Sequence, residues 1–262
     1  MIAAGCDVGS LTAKAVILND QGIVSQAVIQ AGSKPEESAR TVMELALSRA
    51  GLKLEDLGYV IGTGYGRRQI PFVNEVVSEI VCHGKAVHWQ NPEVRMVIDV
   101  GGQDAKAIRI DANGAVLQYV YNDKCASGTG RFLEVMAEAL EVTLGDLGGL
   151  ALQSHDPISI SNQCAVFAET EVVSLLNNGK AKTDIAGGLV RALAHRIAAL
   201  AKSIGLETPI TMSGGVAKNL GVFIAMEEVL GLEFKRADGD PQLNGALGAA
   251  LLAREALHRS IA

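Results

Sequence analysis

The sequence predicts an α/β fold built from two similar lobes, and three observations support this prediction. Residues 7–24 match residues 99–116 at eight positions, so one segment is duplicated 92 residues along the chain. Helical periodicity alternates with short apolar runs outside the two copies. The chain has 262 residues of which 48% are apolar, enough for one large domain or two small lobes.

Each copy of the repeat reads as a β-hairpin. The segment Asp7–Lys14 reads DVGSLTAK and the segment Asp99–Lys106 reads DVGGQDAK. In each, an apolar strand ends at Asp-Val-Gly, and a second strand follows and runs to a turn at Gly22 or Gly114. We therefore expect residues 1–94 to form a first lobe and residues 95–244 a second. Residues 245–262 are expected to pack back on the first lobe.

The remaining elements follow from apolar periodicity. Short strands are predicted at Tyr59–Gly62, Pro209–Met212 and Glu233–Lys235. Helices are predicted at Glu36–Ala50, Phe72–His88, Arg131–Val142, Val166–Leu176, Asp184–Ile204, Lys218–Leu230 and Leu243–Leu257. Strands that alternate with helices in this way indicate an α/β fold.

The turn of each hairpin has residue types suited to phosphate. Glycine lets backbone N–H groups approach phosphate oxygens closely. An aspartate beside phosphates acts through a hydrated Mg²⁺, because two anions would otherwise repel. Two ordinary hairpin turns are the alternative, and the shared register of the copies weighs against it. We expect the two turns to clamp a polyphosphate in a cleft.

A third glycine segment, Ser213-Gly-Gly-Val-Ala-Lys-Asn219, lies between a predicted strand and a helix. Paired glycines there allow close approach to a flat ligand, and the helix start offers N–H donors. Alone this signal is weak. The chain contains no G-x-x-x-x-G-K-[ST] and no convincing G-x-G-x-x-G, so a P-loop and a dinucleotide fingerprint are not indicated.

Charge and hydropathy exclude several function classes. The net charge is −6, and the adjacent pair Arg67–Arg68 is read as a solvated loop, so no nucleic acid is expected as a partner. The apolar stretch Ile185–Leu206 contains four basic residues, which argues against a membrane span. Because Met1–Val8 has no signal-peptide pattern, we expect a soluble cytoplasmic protein.

Four cysteines occur, and none forms a C-x-x-C pair, so a zinc ribbon is not indicated. Cys125 and Cys164 each precede a predicted helix, where the helix dipole and unpaired N–H groups favour a thiolate. The alternative is that they are small buried apolar residues. Cys6 and Cys82 are expected to serve packing only.

Together, the three glycine segments resemble the phosphate-1, phosphate-2 and adenosine motifs of the actin/Hsp70/hexokinase-like ATPases, which have a ribonuclease H-like fold. The resemblance implies ATP or ADP with Mg²⁺ in the cleft, and Asp7 and Asp99 acting on that ion through water. It implies nucleotide contacts at Asp7, Gly9, Ser10, Leu11, Thr12, Ala13, Lys14, Asp99, Gly101, Gly102, Gln103, Gly214, Gly215 and Gln242.

Catalytic roles follow from the same resemblance. Gln103 is expected to orient the attacking water, since an amide both donates and accepts. Asp104 is a candidate base, and Lys14 would neutralise phosphate charge. Glu134 either reaches the ribose or faces solvent.

The cysteine segments, with Gly62-Thr-Gly-Tyr-Gly-Arg67 and Ile98-Asp-Val-Gly-Gly-Gln-Asp104, resemble a narrower family: the activators of 2-hydroxyacyl-CoA dehydratases and the ATPase subunits of benzoyl-CoA reductase (BadF/BadG/BcrA/BcrD). The resemblance runs from Asp7 to Gly248. It implies that ATP hydrolysis drives a low-potential electron, received from ferredoxin or flavodoxin, into the partner dehydratase or reductase.

The resemblance also implies one [4Fe–4S] cluster per homodimer. Such a cluster takes four thiolates, and two chains that each supply Cys125 and Cys164 would meet this number. A second homologous subunit in place of the identical copy stays open. A cluster shared at a dimer surface is expected to be oxygen-labile, which implies an anaerobic source.

Two other functions stay open at this point. A small-molecule kinase, for instance one for amino sugars, belongs to the same superfamily and would make the cysteines incidental. An actin-like filament or nucleotide-switched interaction protein would give a colourless preparation.

Overall fold

The computed structural model describes residues 1–161 and 164–261. The chain divides into two compact units. The first unit comprises residues 1–94, 110–117 and 238–262, and the second comprises residues 95–109 and 118–237. The lobe boundaries expected from the sequence stay a prediction. In the described part of the chain, no helix is long and apolar enough to cross a membrane.

The strands in chain order are β1 (Ala3–Val8), β2 (Thr12–Asn19), β3 (Gly22–Gln30), β4 (Tyr59–Thr63), β5 (Glu75–Val76), β6 (Met96–Val100), β7 (Ala105–Ile110), β8 (Val116–Asn122), β9 (Ile210–Ser213) and β10 (Phe234–Lys235). The helices are α1 (Pro35–Ala50), α2 (Glu79–Gln90), α3 (Gly130–Ala139), α4 (Leu144–Ala151), α5 (Ala165–Asn177), α6 (Lys182–Lys202), α7 (Leu220–Leu230) and α8 (Asn244–Ile261).

The first unit is built on a five-stranded sheet in the order β3-β2-β1-β4-β5. β1 pairs antiparallel with β2 and parallel with β4. The register places Asp7 opposite Lys14 on one side and opposite Thr63 on the other. Asp7 therefore lies where β1 approaches its C-terminal end, next to the loop that leaves β4.

Helices cover the sheet of the first unit because its strands are apolar on both faces. The buried side chains of α1 pack with β1 and β2 in one cluster, and α8 packs with β2 in another. α8 approaches β1 so closely that a Cβ on Gly5 would meet the backbone of Ala246 and Ala250. Burial of these small apolar side chains stabilises the unit.

The second unit is built on a sheet in the order β10-β9-β6-β7-β8. β6 pairs antiparallel with β7 and parallel with β9. The register places Asp99 opposite Lys106 and opposite Ser213. The core contains Met96, Ile98, Phe132, Leu133, Met136 and Met212, with side chains of α4 to α7.

The predicted hairpins are confirmed, and each continues into a third strand that the sequence reading left out. β1, β2 and β3 form one antiparallel meander, and β6, β7 and β8 follow the same order in the second unit. β3 and β8 are exposed along much of their length, so their apolar periodicity is weak. That weakness explains the omission.

One predicted helix, Phe72–His88, is wrong over its first turns. Residues before Ser78 include the short strand β5, and the helix begins only at Glu79. The side chain of Asn74 accepts a hydrogen bond from the amide of Val60 at 2.8 Å, which ties this segment to β4. The tertiary contact overrides the apolar periodicity.

Helix α4 was not predicted. It contains Gly145, Gly148 and Gly149, which have low helix propensity. Thr143 caps it by accepting a hydrogen bond from the amide of Asp146. The other predicted helices are confirmed with ends that differ by a few residues.

Candidate functional site

The first turn joins β1 to β2 and is closed by the amide of Gly9, which donates to the carbonyl of Thr12 at 3.0 Å. The ammonium of Lys14 lies 3.1 Å from Oδ2 of Asp7, and both side chains are about nine-tenths buried. Ser10 is exposed at the turn, whereas the side chain of Ala13 is fully buried. Any ligand contact of Ala13 would therefore have to come from its backbone.

Two glycines surround the carboxylate of Asp7. Gly64 has φ +86°, and a Cβ there would overlap Oδ1 of Asp7 and the carbonyl of Val8. A Cβ on Gly245 would lie 2.6 Å from Oδ2 of the same carboxylate. Larger residues at either position would displace Asp7, so the glycines fix where this charge lies.

The structure places Gln242 beside the first turn. Its Nε2 donates to Oγ1 of Thr12 at 3.3 Å, and both residues belong to the first unit. Gly214 and Gly215 belong to the second unit. The adenosine role of these three residues stays a prediction.

The second turn joins β6 to β7 and contains an additional carboxylate. The amide of Gly101 donates to the carbonyl of Asp104 at 2.9 Å. The ammonium of Lys106, which is 4% exposed, lies 3.1 Å from Oδ2 of Asp99 and 2.5 Å from Oδ2 of Asp104. Gln103 is exposed in the turn.

Lys106 was not among the predicted site residues. It occupies the repeat position of Lys14, and this correspondence could have identified it. The buried lysine supplies a cation between two acids, so it offsets one of the two negative charges of the second turn. Asp104, a candidate base, is held by this same ammonium.

The third segment packs against the second turn. Gly214 has φ +85°, and a Cβ there would overlap the carbonyl of Val100 and lie 2.8 Å from Oδ1 of Asp99. Gly215 is exposed beside it, whereas Ser213 is fully buried. The predicted adenosine segment and the predicted phosphate-2 segment therefore lie together in the second unit.

The start of α3 is bonded to the carbonyl groups of the second turn. The amide of Gly130 donates to Gly101 at 2.9 Å, and the amide of Arg131 donates to Gly102 at 2.7 Å. Cys125 precedes this helix by only one short turn, Ala126–Gly128. The backbone therefore connects the second turn to the cysteine segment directly.

Cys125 lies in a polar, cationic pocket. Its Sγ is 3.0 Å from Oγ of Ser127 and 3.3 Å from Nη2 of Arg196. The hydrogen bond with Ser127, followed by the charge of Arg196, lowers the pKa of the Cys125 thiol. Asn122 fixes the loop because its side chain bonds the backbone N–H and carbonyl of Cys125. The sulfur is thus prepared to act as a thiolate.

Cys125 precedes a helix, as expected: α3 begins at Gly130, and a short 3₁₀ turn lies between the two. Ser127 and Arg196 are additional contacts of the thiol that the sequence does not predict. Nothing in the sequence pairs Arg196 with Cys125, because the two are 71 residues apart.

The other three cysteines differ from Cys125. Cys164 is half-buried and is the N-cap residue of α5, as expected, and its neighbours Asn162 and Gln163 lie outside the described residues. Cys6 and Cys82 are fully buried. Burial raises the pKa of the Cys6 thiol far above its usual value and raises that of Cys82 to about 12. These two suit packing rather than ligation.

The two half-buried thiols, Cys125 and Cys164, are the candidate sulfur ligands for a metal cluster. Among residues 1–161 and 164–261, no group of three or more His, Cys, Asp or Glu side chains could hold a metal ion. Cys125 supplies a half-buried, activated sulfur. Two thiolates from each of two chains would make the four that a [4Fe–4S] cluster takes.

Glu134, expected at the ribose or facing solvent, lies on α3. Its Oε2 is 2.9 Å from Nη1 of Arg131, with side chains 31% and 54% exposed. The exposed ion pair contributes little stability. The ribose contact stays a prediction.

Comparison with known proteins shows close relatives along the whole chain. The family described as the BadF/BadG/BcrA/BcrD ATPase family matches residues 4–253. The activator of lactoyl-CoA dehydratase from Anaerotignum propionicum is 46% identical over 260 residues, which cover 99% of this chain and 100% of that protein.

Solved structures show the same similarity. Component A of (R)-2-hydroxyglutaryl-CoA dehydratase from Acidaminococcus fermentans has a TM-score of 0.95 at 41% identity, covering 98% of this chain and 99% of that one. The activator of 2-hydroxyisocaproyl-CoA dehydratase from Clostridium difficile, with bound ADPNP, has a TM-score of 0.96 at 41% identity, covering 100% and 97%.

More distant structures show the fold alone. A ROK family glucokinase from Streptomyces griseus has a TM-score of 0.57 at 15% identity, covering 97% of this chain and 100% of that one. The expected actin/hexokinase-like α/β fold is therefore confirmed. The family match and the close relatives together show that this chain is an ATPase and belongs to the BadF/BadG/BcrA/BcrD ATPase family.

Proposed function

We propose that this protein is an activator that uses ATP hydrolysis to pass a low-potential electron to a partner enzyme. The partner is a 2-hydroxyacyl-CoA dehydratase or a benzoyl-CoA reductase-like enzyme, and the electron donor is a ferredoxin or flavodoxin. Support comes from the activators among its relatives. The structural observation that carries the proposal is the activated Cys125 thiol, joined by a short backbone path to the second turn.

ATP is assigned to the three glycine segments. The backbone of the first and second turns binds phosphate, and Lys14 and Lys106 offset part of the negative charge of Asp7, Asp99 and Asp104. A lysine-paired aspartate near the end of the first strand of each hairpin, Asp7 or Asp99, suits a Mg²⁺ that keeps much of its water shell, because Mg²⁺ dehydrates reluctantly. Gln103, exposed in its turn, orients the attacking water. Gly214, Gly215 and Gln242 contact the adenosine.

Cys125 and Cys164 of two identical chains hold the [4Fe–4S] cluster. When bound, the cluster supplies a one-electron carrier at low potential. Arg196 and Ser127 hold the sulfur of Cys125 in place and favour its ionised form. Asn122 keeps the loop in the conformation that presents this sulfur.

A change of the bound nucleotide alters the position of Cys125 through the start of α3. Any movement of Gly101 and Gly102 on hydrolysis acts on the amides of Gly130 and Arg131, which are bonded to them. A bound nucleotide can shift the cysteine segment from one conformation to another only if the nucleotide binds those two conformations with different affinities. For a one-electron couple, about 1.4 kcal/mol of differential binding shifts a potential by about 60 mV.

The test is to count iron and sulfide in protein purified without oxygen. Four of each per pair of chains are expected in the unmodified protein. Cys125→Ser and Cys164→Ser should each lose the cluster and keep ADP binding, whereas Cys82→Ala should keep both. Unchanged iron content in Cys125→Ser would overturn the ligand assignment.

A sugar kinase is the enzymatic alternative. Sugar kinases at 15% and 18% identity share the fold of this chain, and at that identity the likeness shows the fold alone. Phosphate transferred to an added sugar, rather than released into solution, would favour that alternative.

A further inference from the structure

In the turn that follows β4, only Gly64 has a role in the sites described above. It contains the segment Gly62-Thr-Gly-Tyr-Gly-Arg67 and continues into the short 3₁₀ turn Arg67–Gln69. Gly64 contacts Asp7, so this turn lies at the same edge of the sheet as the first phosphate turn.

The turn borders a cavity of about 230 Å³ lined by Tyr65, Gly66, Arg67, Arg68 and Gln69. Tyr65 is 77% exposed, and Arg68 and Gln69 are exposed as well. The lining contains two guanidinium groups, one amide and one phenol, and no carboxylate. This lining supplies hydrogen-bond donors and positive charge.

Arg67 and Arg68 differ from Arg40, another arginine of the first unit, in their ion pairing. Within the part of the chain that the structure describes, neither forms an ion pair with a carboxylate, whereas Arg40 pairs with Glu36 at 3.1 Å.

Arg67 is half-buried, and its Nη1 donates to the carbonyl of Gly64 at 3.0 Å. The charges of Asp7, Glu79 and Arg67 all act on the Cys82 thiol, so acids lie in the same region as this guanidinium. Arg67 nevertheless forms no direct ion pair with any described residue, and its other N–H groups can bind an anion from solution.

The turn is held rigidly. The amide of Gly66 donates to Val8 at 2.8 Å, and the amide of Gln69 donates to Gly66 at 2.9 Å. A Cβ on Gly66 would lie 2.8 Å from side-chain carbons of Pro35 and Val8. The amides of Gly66 and Gln69 are used within the protein, so the side chains of the two arginines are the charged donors open to a ligand. Their positions are set before the ligand arrives.

We propose that this turn is an oxyanion site that binds inorganic phosphate, with Arg67 as its principal ligand and Arg68 as a second. The planar guanidinium of arginine offers paired N–H groups that match the oxygens of phosphate. The phosphate comes either from solution or from the ATP hydrolysed by this protein. The site needs neither the cluster nor the partner enzyme, so it stands independently of the electron-transfer function.

Calorimetry of the full-length protein, saturated with ADP and titrated with inorganic phosphate, tests the proposal. The unmodified protein should bind one phosphate per chain, and sulfate should compete. Arg67→Gln should weaken binding by about ten-fold or more, since it removes charge-assisted hydrogen bonds. Arg68→Gln should weaken it less. Arg40→Gln is the matched control and should bind normally.

The contrary results are equally clear. Absence of saturable phosphate binding in the unmodified protein would overturn the proposal, and so would unchanged affinity in both Arg67→Gln and Arg68→Gln. If Arg67→Gln fails to fold, the phosphate affinity of Arg68→Gln tests the proposal instead, because Arg68 is exposed. If the site takes the phosphate released by ATP hydrolysis, added phosphate should slow ATP hydrolysis in the unmodified protein but not in Arg68→Gln. Binding without such inhibition would identify solution phosphate.

Discussion

The backbone amide of Arg131 donates a hydrogen bond to the carbonyl of Gly102 at 2.7 Å. With the neighbouring bond from Gly130 to Gly101 at 2.9 Å, it attaches the first turn of α3 to the second phosphate turn. The chain runs back from Gly130 through a short 3₁₀ turn to Cys125. A displacement at the phosphate turn therefore has a direct backbone route to the proposed cluster ligand.

Gly130→Ala should weaken this attachment. A Cβ there would lie 3.0 Å from the carbonyl oxygen of Gly101 and 3.2 Å from Cγ2 of Val216. We expect a loss of about 1–2 kcal/mol in the free energy of unfolding, measured in urea. The difference in Cys125 alkylation rate between the ADP and ADPNP complexes should also shrink.

The control is Gly149→Ala on α4, where a Cβ would meet nothing within 4 Å. It should preserve both the stability and the nucleotide response. An unchanged response in Gly130→Ala, despite the measured destabilisation, would show that the coupling takes another route.

Lys106→Ala should destabilise the second unit strongly. The substitution removes the buried cation that lies between Asp99 and Asp104. Breaking a buried ion pair from one side costs about 3–5 kcal/mol. Arg191→Ala breaks the exposed pair with Glu228, whose side chains are 49% and 53% exposed, and should cost less than about 1 kcal/mol. Equal losses for the two variants in urea unfolding would contradict this account.

Ser127→Ala should slow the alkylation of Cys125 in metal-free protein. The thiolate is the reactive form, and the hydrogen bond from Ser127 is the main cause of the lowered pKa. Without it the pKa rises, so the pH profile of the alkylation rate moves to higher pH. Arg196→Gln should move the profile in the same direction, because it removes the nearby positive charge.

Arg191→Gln, on the same helix as Arg196, is the matched control for this experiment. Mass spectrometry of the peptide that contains Cys125 separates its reaction from that of Cys164. Identical pH profiles in the unmodified protein and Ser127→Ala would refute the assigned role of the serine.

Gln103→Ala should impair hydrolysis and spare binding. The side chain is exposed in the second turn, where an amide can orient water toward the terminal phosphate. We expect the turnover number to fall about 10²-fold or more, with the affinity for ADPNP nearly unchanged. Gln153→Ala, at an exposed position two residues after the end of α4, serves as the control. If Gln103→Ala hydrolyses ATP at the unmodified rate, another residue must orient the attacking water.

Local sequence patterns predicted much of the fold because the duplicated segment carries its own signals. Apolar strands, glycine turns and the paired Asp and Lys of each copy correspond to the observed β1–β2 and β6–β7 hairpins. The false helix over Phe72–Val77 shows the limit of such patterns. There, a hydrogen bond from the backbone of β4 to Asn74 sets the local structure, and periodicity cannot report it.

Local sequence patterns also predicted part of the candidate site. Lys106 follows from the repeat, although it was not singled out. The environment of Cys125 does not follow, since Arg196 comes from a helix far along the chain. Proximity of that kind depends on how α6 packs in the second unit, and no local pattern encodes it.

The most direct test of the account compares how quickly an iron chelator removes iron from oxygen-free protein in the ADP and ADPNP complexes. If ATP acts on the cysteine segment through Gly101 and Gly102, the two rates should differ clearly, and Gly130→Ala should reduce the difference. Equal rates in the two nucleotide complexes of the unmodified, iron-containing protein would contradict the proposed coupling.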